Sequence, residues 1–177
     1  MLEQFRDPNL ALTGDLIGFY EREFYPFSNF SSFSIRWRDR LWQTSEHAYQ
    51  AAHFFETAPD LVELIFHSPS AHAAFKIAKA YVDRAPANWE EIKVGIMEDI
   101  CRHKLQQHPY VERKLRQTLD LPLVEDSTKD ACWGWGPNRD GRNELGKIWM
   151  KLRAELYAKD AEHPFFRPAD QGSGEEG

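Results

Sequence analysis

A single carboxylate, Glu46, stands in an aromatic-rich segment, WQTSEHAYQAAHF at 42–54, whose pattern is that of a helix start. Thr44 is a typical N-cap residue and puts Glu46 in the first helical turn, where an acid complements the helix dipole. An acid on the protein surface is therefore the simpler interpretation. Beside aromatic rings, a carboxylate can also stabilise the positive charge on a sugar as its glycosidic bond breaks, or activate water. Helical spacing puts three further side chains on the stripe of Glu46, namely Tyr49, Gln50 and His53.

A second segment, FYPFSNF at 24–30, also combines polar and aromatic residues in a way that suits a ligand. It is a predicted loop, because proline interrupts strand pairing and Ser-Asn is typical of turns. Phe27 offers a flat face to a base, while Ser28 and Asn29 offer hydrogen bonds. Packing of the aromatic residues on the core is the alternative interpretation.

The third segment, LVEDSTKDACWGWGPNRDGRNELG at 123–146, places two tryptophans in a glycine-rich loop. Glycine permits close approach of the backbone to a ligand. A solvated loop rarely carries so much apolar surface without a purpose. We therefore expect Asp130, Trp133, Gly134 and Asn143 to face a ligand.

The composition narrows the class of partner. The net charge is -6, with 22 basic against 28 acidic residues, whereas proteins that hold long stretches of duplex usually carry a basic excess. A small anionic substrate in a pocket fits this balance better. The sequence has no apolar run long enough to span a membrane, and residues 1–9 lack the apolar core of a signal peptide. These features predict a cytoplasmic protein that does not contact membranes.

Several familiar catalytic signatures are absent from the sequence. It contains no GxSxG, no P-loop, no Rossmann glycine fingerprint and no HExxH. The pairs His67/His72 and His103/His108 are each five residues apart, which puts their members on different helix faces. We therefore expect no metal site and no cofactor.

Hydrophobic spacing and turn residues predict one α+β domain over 14–158, mainly helical with a few short strands. Ser68-Pro69 is expected to start one helix, and Asn88 with Glu91 to form a capping box on the next. The Pro/Gly/Glu-rich tail at 160–177 is expected to be disordered. The predicted buried side of the longer helix carries Ile92, Ile96 and Ile100. Predicted strands cover 14–20, 32–37, 41–42 and 121–125. Predicted helices cover 44–56, 68–82, 88–108 and 109–118, with a last one from Asn143.

Blocks spread over residues 17–156 resemble the NADAR family when taken together and in order. One block alone would be weak evidence, but their shared order and spacing make the resemblance strong. The matching residues are FYPFSNF at 24–30, Trp42-x-Thr44-x-Glu46-His47-x-x-Gln50-Ala51, Ala78-Lys79, Trp89 with Lys93 and Met97, Leu123-Val124-Glu125-x-Ser127, Asp130, Trp133-Gly134-x-Gly136, and Asn143-x-Leu145-Gly146.

The resemblance implies an N-glycosidase that breaks the bond between C1 of ribose and the nitrogen of a base-like amine. One implied substrate is a small ribosylated molecule, such as a phosphoribosylamino-pyrimidine intermediate of riboflavin synthesis. The alternative substrate is ADP-ribosylated DNA, from which ADP-ribose would be removed at guanine. A module that binds ADP-ribose or a nucleotide without catalysis is a third interpretation.

The mechanism expected from this resemblance uses an acid, an amine and stacking rings. Lys79 would capture C1 as a Schiff base, provided that desolvation leaves its amine neutral. Glu46 would carry protons to the leaving amine, Asp130 would assist water or the ribose hydroxyls, and Trp89 or Trp133 would stack on the base. A lysine that extends from a half-buried helix into solvent is the alternative interpretation of Lys79.

The chain departs from the family pattern at two positions. Asp83-Arg84 replaces a Gly-Arg pair, which puts a phosphate contact by Arg84 in doubt. His53 replaces a frequent lysine, which argues against an essential amine on the helix that carries Glu46.

Overall fold

The computed structural model describes residues 16–20 and 22–162, and in them helices predominate over short strands. This confirms the predicted α+β class. The strands are β1 (Ile17–Phe19), β2 (Ile35–Trp37), β3 (Arg40–Trp42) and β4 (Leu123–Glu125). The α-helices are α1 (Ser45–Ala52), α2 (Pro59–Phe66), α3 (Ala71–Ala80), α4 (Trp89–Gln107), α5 (Pro109–Gln117) and α6 (Glu144–Glu162). Two short 3-10 helices cover Arg22–Phe27 and Val82–Arg84.

The strands form two separate pairs. β1 and β4 pair in parallel, with Phe19 opposite Glu125. β2 and β3 lie within the strands predicted at 32–37 and near 41–42, and they pair as an antiparallel hairpin. Arg38 and Asp39 take the positive φ values of 47° and 60° that its tight two-residue turn requires. The parallel pair matters more for the site, because it fixes where the chain leaves β4 and enters the segment with Asp130 and Trp133.

Helix α1 starts as predicted and ends earlier than predicted. The Thr44 side chain accepts a 3.2 Å hydrogen bond from the backbone N–H of His47. The helix stops at Ala52 and not at Glu56, because the following residues form turns. All eight of its residues are buried, so the interpretation of Glu46 as a surface acid is wrong.

The sequence did not predict one helix, misplaced the start of a second, and predicted a cap on a third that does not form. Helix α2 was not predicted, because Pro59 in its first turn can equally indicate the end of the preceding helix. Helix α3 starts at Ala71, and Ser70, not Ser68, accepts the capping hydrogen bond from Ala73 N–H. Asn88 is the N-cap of α4 but makes no side-chain capping bond, so the predicted capping box does not form.

The buried face of α4 differs from the predicted one. Ile92 is 36% exposed and Ile96 only partly buried, although Ile100 is fully buried. The buried residues instead form a stripe that mixes apolar and basic side chains: Trp89, Lys93, Met97, Ile100, Cys101, Lys104 and Leu105. Two lysines on the inward face of a helix are a departure from apolar patterning that calls for a reason.

Helix α6 closes the core on the side of the parallel strands. Trp149 is fully buried, and its ring N–H donates a 2.9 Å hydrogen bond to the carbonyl of Phe27. Residues 160–162 of the predicted tail belong to this helix; residues 163–177 lie outside the described part of the chain, as do residues 14 and 15 of the predicted domain. Among the helices of residues 16–20 and 22–162, none has the length and apolarity needed to cross a membrane.

Candidate active site

A cavity of about 500 Å³ lies between α1, α3, α4 and the segment that follows β4. A volume of this order suits a small-molecule ligand. Six of the ten predicted site residues line it, from parts of the chain that are far apart in sequence: Asn29, Glu46, Lys79, Trp89, Asp130 and Trp133. The cavity therefore brings together an acid, an amine and indole rings.

Glu46 is 4% exposed and lies within this cavity. The pKa of its carboxyl is raised to about 7, mainly by burial; a 2.7 Å hydrogen bond from Gln50 opposes the shift, and the nearby Asp130 contributes to it. The backbone N–H of Glu46 donates to the carbonyl of Asn29 at 3.0 Å. A carboxyl with a pKa near 7 exchanges protons readily at neutral pH, which is the property required of a general acid or base.

Glu125 is a second buried carboxyl of the cavity, and sequence reasoning missed it as a site residue. Its pKa is raised to about 8, mainly by burial and also by the charges of Asp130 and Glu46. Its Oε2 has no hydrogen-bond partner among the described residues. The signal that could identify Glu125 as a site residue is an acid in a strand without an exposed face, because all three residues of β4 are buried.

Asn29 connects the first loop to the cavity. Its side-chain amide donates to the sulfur of Met97 at 2.9 Å, and its Oδ1 has no partner within the described part of the chain. A buried carbonyl oxygen without a partner is costly in a dry site. Asn29 is therefore poised to accept a hydrogen bond from a ligand.

Aromatic rings form one wall of the cavity. Tyr49 lies between two indoles, with its ring centroid 5.6 Å from that of Trp89 and 5.3 Å from that of Trp133. The His53 ring lies 3.8 Å from that of Trp89, and burial lowers the pKa of His53 to about 4. A neutral aromatic surface of this kind suits a flat heterocycle.

Asp130 supports this wall as well as facing the cavity. Its Oδ1 accepts hydrogen bonds from the backbone N–H groups of Cys132 at 2.7 Å and Trp133 at 2.8 Å. These contacts hold the turn that carries the Trp133 indole. Asp130 thus combines a structural role with its place among the cavity carboxyls.

The lysines of the cavity differ in burial. Lys79 is exposed, and its Nζ lies 5.9 Å from the centre of the Phe75 ring. The desolvation expected for its amine is therefore not provided by the protein fold alone. Lys93 is 9% exposed, and its amine pairs with Glu90 at 2.5 Å.

Four predicted binding residues lie outside the cavity lining. Phe27 is fully buried and packs on Trp149 at a centroid distance of 5.1 Å, so its ring belongs to the core. Ser28 is also buried, and its hydroxyl accepts from the backbone N–H of Phe30 at 3.3 Å. The sequence could not separate these inward residues from Asn29, because a loop has no fixed periodicity.

Gly134 and Asn143 lie behind β4, outside the cavity lining. A Cβ at Gly134 would come within 2.5 Å of the Glu125 carbonyl oxygen, which only glycine avoids. The Asn143 side chain donates to the carbonyl of Leu123 at 2.9 Å and accepts from the N–H of Glu125 at 3.0 Å. Both residues support the strand that carries Glu125.

The described residues contain no group of three or more His, Cys, Asp or Glu side chains with the arrangement of a metal site. The chemistry available from the residues present is thus proton transfer, hydrogen bonding, charge stabilisation and attack by an amine.

Comparison with known proteins places the chain in a family. The NADAR domain model matches residues 18–157. N-glycosidase YbiA of Escherichia coli is 33% identical over 143 residues, which cover 80% of this chain and 88% of that protein. The NMR structure of E. coli YbiA superposes with a TM-score of 0.76 at 31% identity, over 88% of this chain and 94% of that one.

A second kind of relative is larger than this chain. A riboflavin biosynthesis protein of Vibrio vulnificus is 39% identical over 129 residues, which cover 73% of this chain but only 35% of that protein. The family match over residues 18–157 includes every residue that lines the cavity. The chain therefore belongs to the NADAR family.

Proposed function

We propose that this chain is an N-glycosidase, which hydrolyses the bond between C1 of a ribosyl or phosphoribosyl group and the nitrogen of a nucleobase-like amine. The observation that carries the proposal is Glu46, a buried carboxyl with a pKa of about 7 that lines a cavity walled by aromatic rings. Relatives named N-glycosidases in E. coli and Nostoc punctiforme match this chain over 88% and 84% of their lengths, which supports the same activity here.

Acid–base hydrolysis uses groups that line the cavity. Protonated Glu46 gives its proton to the leaving nitrogen as the C1–N bond breaks, so the amine departs neutral. Positive charge then develops at C1 and the ring oxygen, where the Asp130 carboxylate stabilises it. Water adds its oxygen to C1 and returns a proton to Glu46, which restores the enzyme.

A second route passes through an imine on Lys79. Ring opening exposes C1, the Lys79 amine forms a C–N bond to it while the base amine leaves, and water then hydrolyses the imine. Lys79 lines the cavity but is exposed. This route therefore requires the bound substrate to shield the amine, whereas acid–base hydrolysis uses a carboxyl that is already buried.

The proposed substrate is a phosphoribosylamino-pyrimidine of the kind that occurs in riboflavin synthesis. The Vibrio vulnificus relative named for riboflavin biosynthesis supports it, although this chain spans about a third of that protein's length. Lys79, Lys93 and Lys129 line the cavity, and the exposed amines of Lys79 and Lys129 can take up a phosphate. The aromatic wall suits the pyrimidine.

Release of products decides between this substrate and its rivals. We expect purified protein to release ribose 5-phosphate from a phosphoribosylamino-pyrimidine. Release of ADP-ribose from DNA that carries it on guanine, without turnover of the phosphoribosylamino-pyrimidine, would favour the DNA substrate. Binding of ADP-ribose without turnover of either substrate, and unchanged by Glu46→Gln, would contradict an enzyme and leave a binding module.

A further inference from the structure

We propose that Glu125 contacts the substrate directly, as a neutral carboxylic acid that donates a hydrogen bond to an oxygen of the ribosyl group. The inference rests on the proposed N-glycosidase function and adds a substrate-binding residue to its site. It also gives Asn143 a role as a positioning residue that acts through Glu125.

The backbone of Glu125 is fixed on both sides. Its N–H donates to Asn143 Oδ1 at 3.0 Å, and its carbonyl accepts from the N–H of Trp135 at 3.3 Å. The parallel pairing with β1 places it opposite Phe19. Gly134 packs so closely that a Cβ there would lie 2.5 Å from the Glu125 carbonyl oxygen. Such a residue is held in one position before any ligand arrives.

The side chain of Glu125, in contrast, is left without a full set of partners. Its Oε2 is buried and has no hydrogen-bond partner among the residues described, yet Glu125 lines the cavity. Buried polar atoms are rarely left unpaired, because the lost hydration costs free energy. A fixed backbone combined with an unpaired carboxyl is the arrangement expected where a ligand supplies the missing partner.

The surroundings of Glu125 favour its neutral form. Burial, together with the charges of Asp130 from the segment after β4 and Glu46 from α1, raises its pKa to about 8. Cys101 on α4 also interacts electrostatically with Glu125, and burial raises the pKa of that thiol to about 12, so the thiol is neutral. The positively charged side chains that line the cavity are Lys79 on α3, Lys93 on α4 and Lys129 in the segment after β4.

A neutral carboxyl is a hydrogen-bond donor, whereas an ionised one only accepts. Ribose presents several oxygens that accept, including its ring oxygen. A proton held on Glu125 at neutral pH therefore matches the sugar. It also keeps a second negative charge from accumulating next to Glu46, whose proton the proposed reaction uses.

The test compares Glu125→Gln with Glu125→Met. Glutamine keeps a donor of similar shape and cannot ionise, while methionine keeps the volume and removes the donor. By calorimetry with ribose 5-phosphate and ADP-ribose as probes, we expect Glu125→Gln to bind within about threefold of wild type and Glu125→Met to bind about tenfold more weakly. Exposed Glu91, outside the cavity lining, gives the matched control Glu91→Gln.

The pH profile provides a second readout. Wild-type binding is expected to weaken as the pH rises through about 8, where Glu125 ionises. Glu125→Gln should lose this alkaline weakening. In Asn143→Ala the carboxyl is less well held, and adding Glu125→Met to it should cost less than the two separate losses together.

Each result separates the two proposals. If Glu125→Met binds both probes as well as wild type, or if Glu125→Gln binds as poorly as Glu125→Met, the proposed hydrogen bond is wrong. If wild type binds a probe but turns over neither substrate, the N-glycosidase proposal fails while the comparison of binding still decides the role of Glu125. If wild type binds neither probe, the ribosyl site and the Glu125 contact are both refuted.

Discussion

The Gln50 amide donates a 2.7 Å hydrogen bond to Oε1 of Glu46, one turn earlier on the same buried helix. The contact orients the carboxyl and favours its ionised form, while burial favours the neutral form more strongly. The balance leaves the pKa of Glu46 near 7, so both forms are available at neutral pH. This balance is the basis of the first two predictions.

Replacing Glu46 by glutamine should abolish most of the turnover. Glutamine keeps the size and one hydrogen-bonding oxygen but carries no transferable proton, and loss of a general acid typically costs about 10²- to 10⁴-fold. We expect kcat to fall by a factor in this range with a smaller change in KM, measured by steady-state release of ribose 5-phosphate. Glu56→Gln, at an exposed position near the same helix, serves as the control. Near-normal turnover in Glu46→Gln would remove this residue from both proposed routes.

Glu46 should also make stability depend on pH. Its pKa is raised from 4.5 to about 7 in the folded protein, so its contribution is fully present below pH 4.5 and is lost as the pH rises through 7. Relative to Glu46→Gln, wild type should therefore lose stability between these pH values, by on the order of 3 kcal/mol. Urea denaturation of both proteins at several pH values measures the difference. A difference that stays constant over this range would contradict the burial of an ionisable Glu46.

Lys104 should make the stability of the folded protein depend on pH between neutral and alkaline values. It is fully buried, and its amine donates to the Ser28 carbonyl at 2.9 Å and to the Ser31 hydroxyl at 2.6 Å. Burial lowers its pKa from 10.5 to about 7, so the folded protein binds fewer protons than the unfolded chain between these values. Relative to Lys104→Met, wild type should lose stability as the pH falls from 10.5 to 7. Thermal denaturation of both proteins at several pH values tests this. The prediction would be wrong if the stabilities of wild type and Lys104→Met changed with pH in the same way.

The imine route predicts a covalent adduct on Lys79. With substrate present, borohydride should reduce the imine and add the mass of a ribosyl group to the peptide that contains Lys79. Lys79→Ala should lose the adduct, while Lys76→Ala, on the same helix but outside the cavity lining, should keep it. An adduct on the Lys93 peptide would assign the amine to α4. Wild-type protein without any adduct would leave direct attack by water.

The Trp133 indole should contribute mainly to binding of the base. It lines the cavity and contacts the edge of Tyr49, and one stacked base is worth about 1–3 kcal/mol. Trp133→Leu should therefore raise KM about 5- to 150-fold with a smaller effect on kcat. Trp135→Leu is the matched control, because Trp135 is in the same loop and does not line the cavity. Equal effects of the two substitutions would contradict stacking on Trp133.

Local patterns in the sequence determined much of the secondary structure of this protein and several of its site residues. Thr44 caps α1 through a bond to a residue three positions later, and such a contact needs no distant partner. The family motifs likewise mark Asn29, Glu46, Asp130 and Trp133, all of which line the cavity. The presence of most helices was predictable for the same reason. The boundaries near Pro59 and Ser68 were not, because proline can both end and begin a helix.

Tertiary structure decided which of these residues face the cavity and how acidic they are. Glu46 has a surface acid's position in a first helical turn, yet packing buries every residue of α1 and shifts its pKa. Glu125 enters the site only because β4 pairs with β1 and is held by Asn143 and Gly134. Burial and charge coupling depend on contacts between residues far apart in the chain, and no local pattern carries that information.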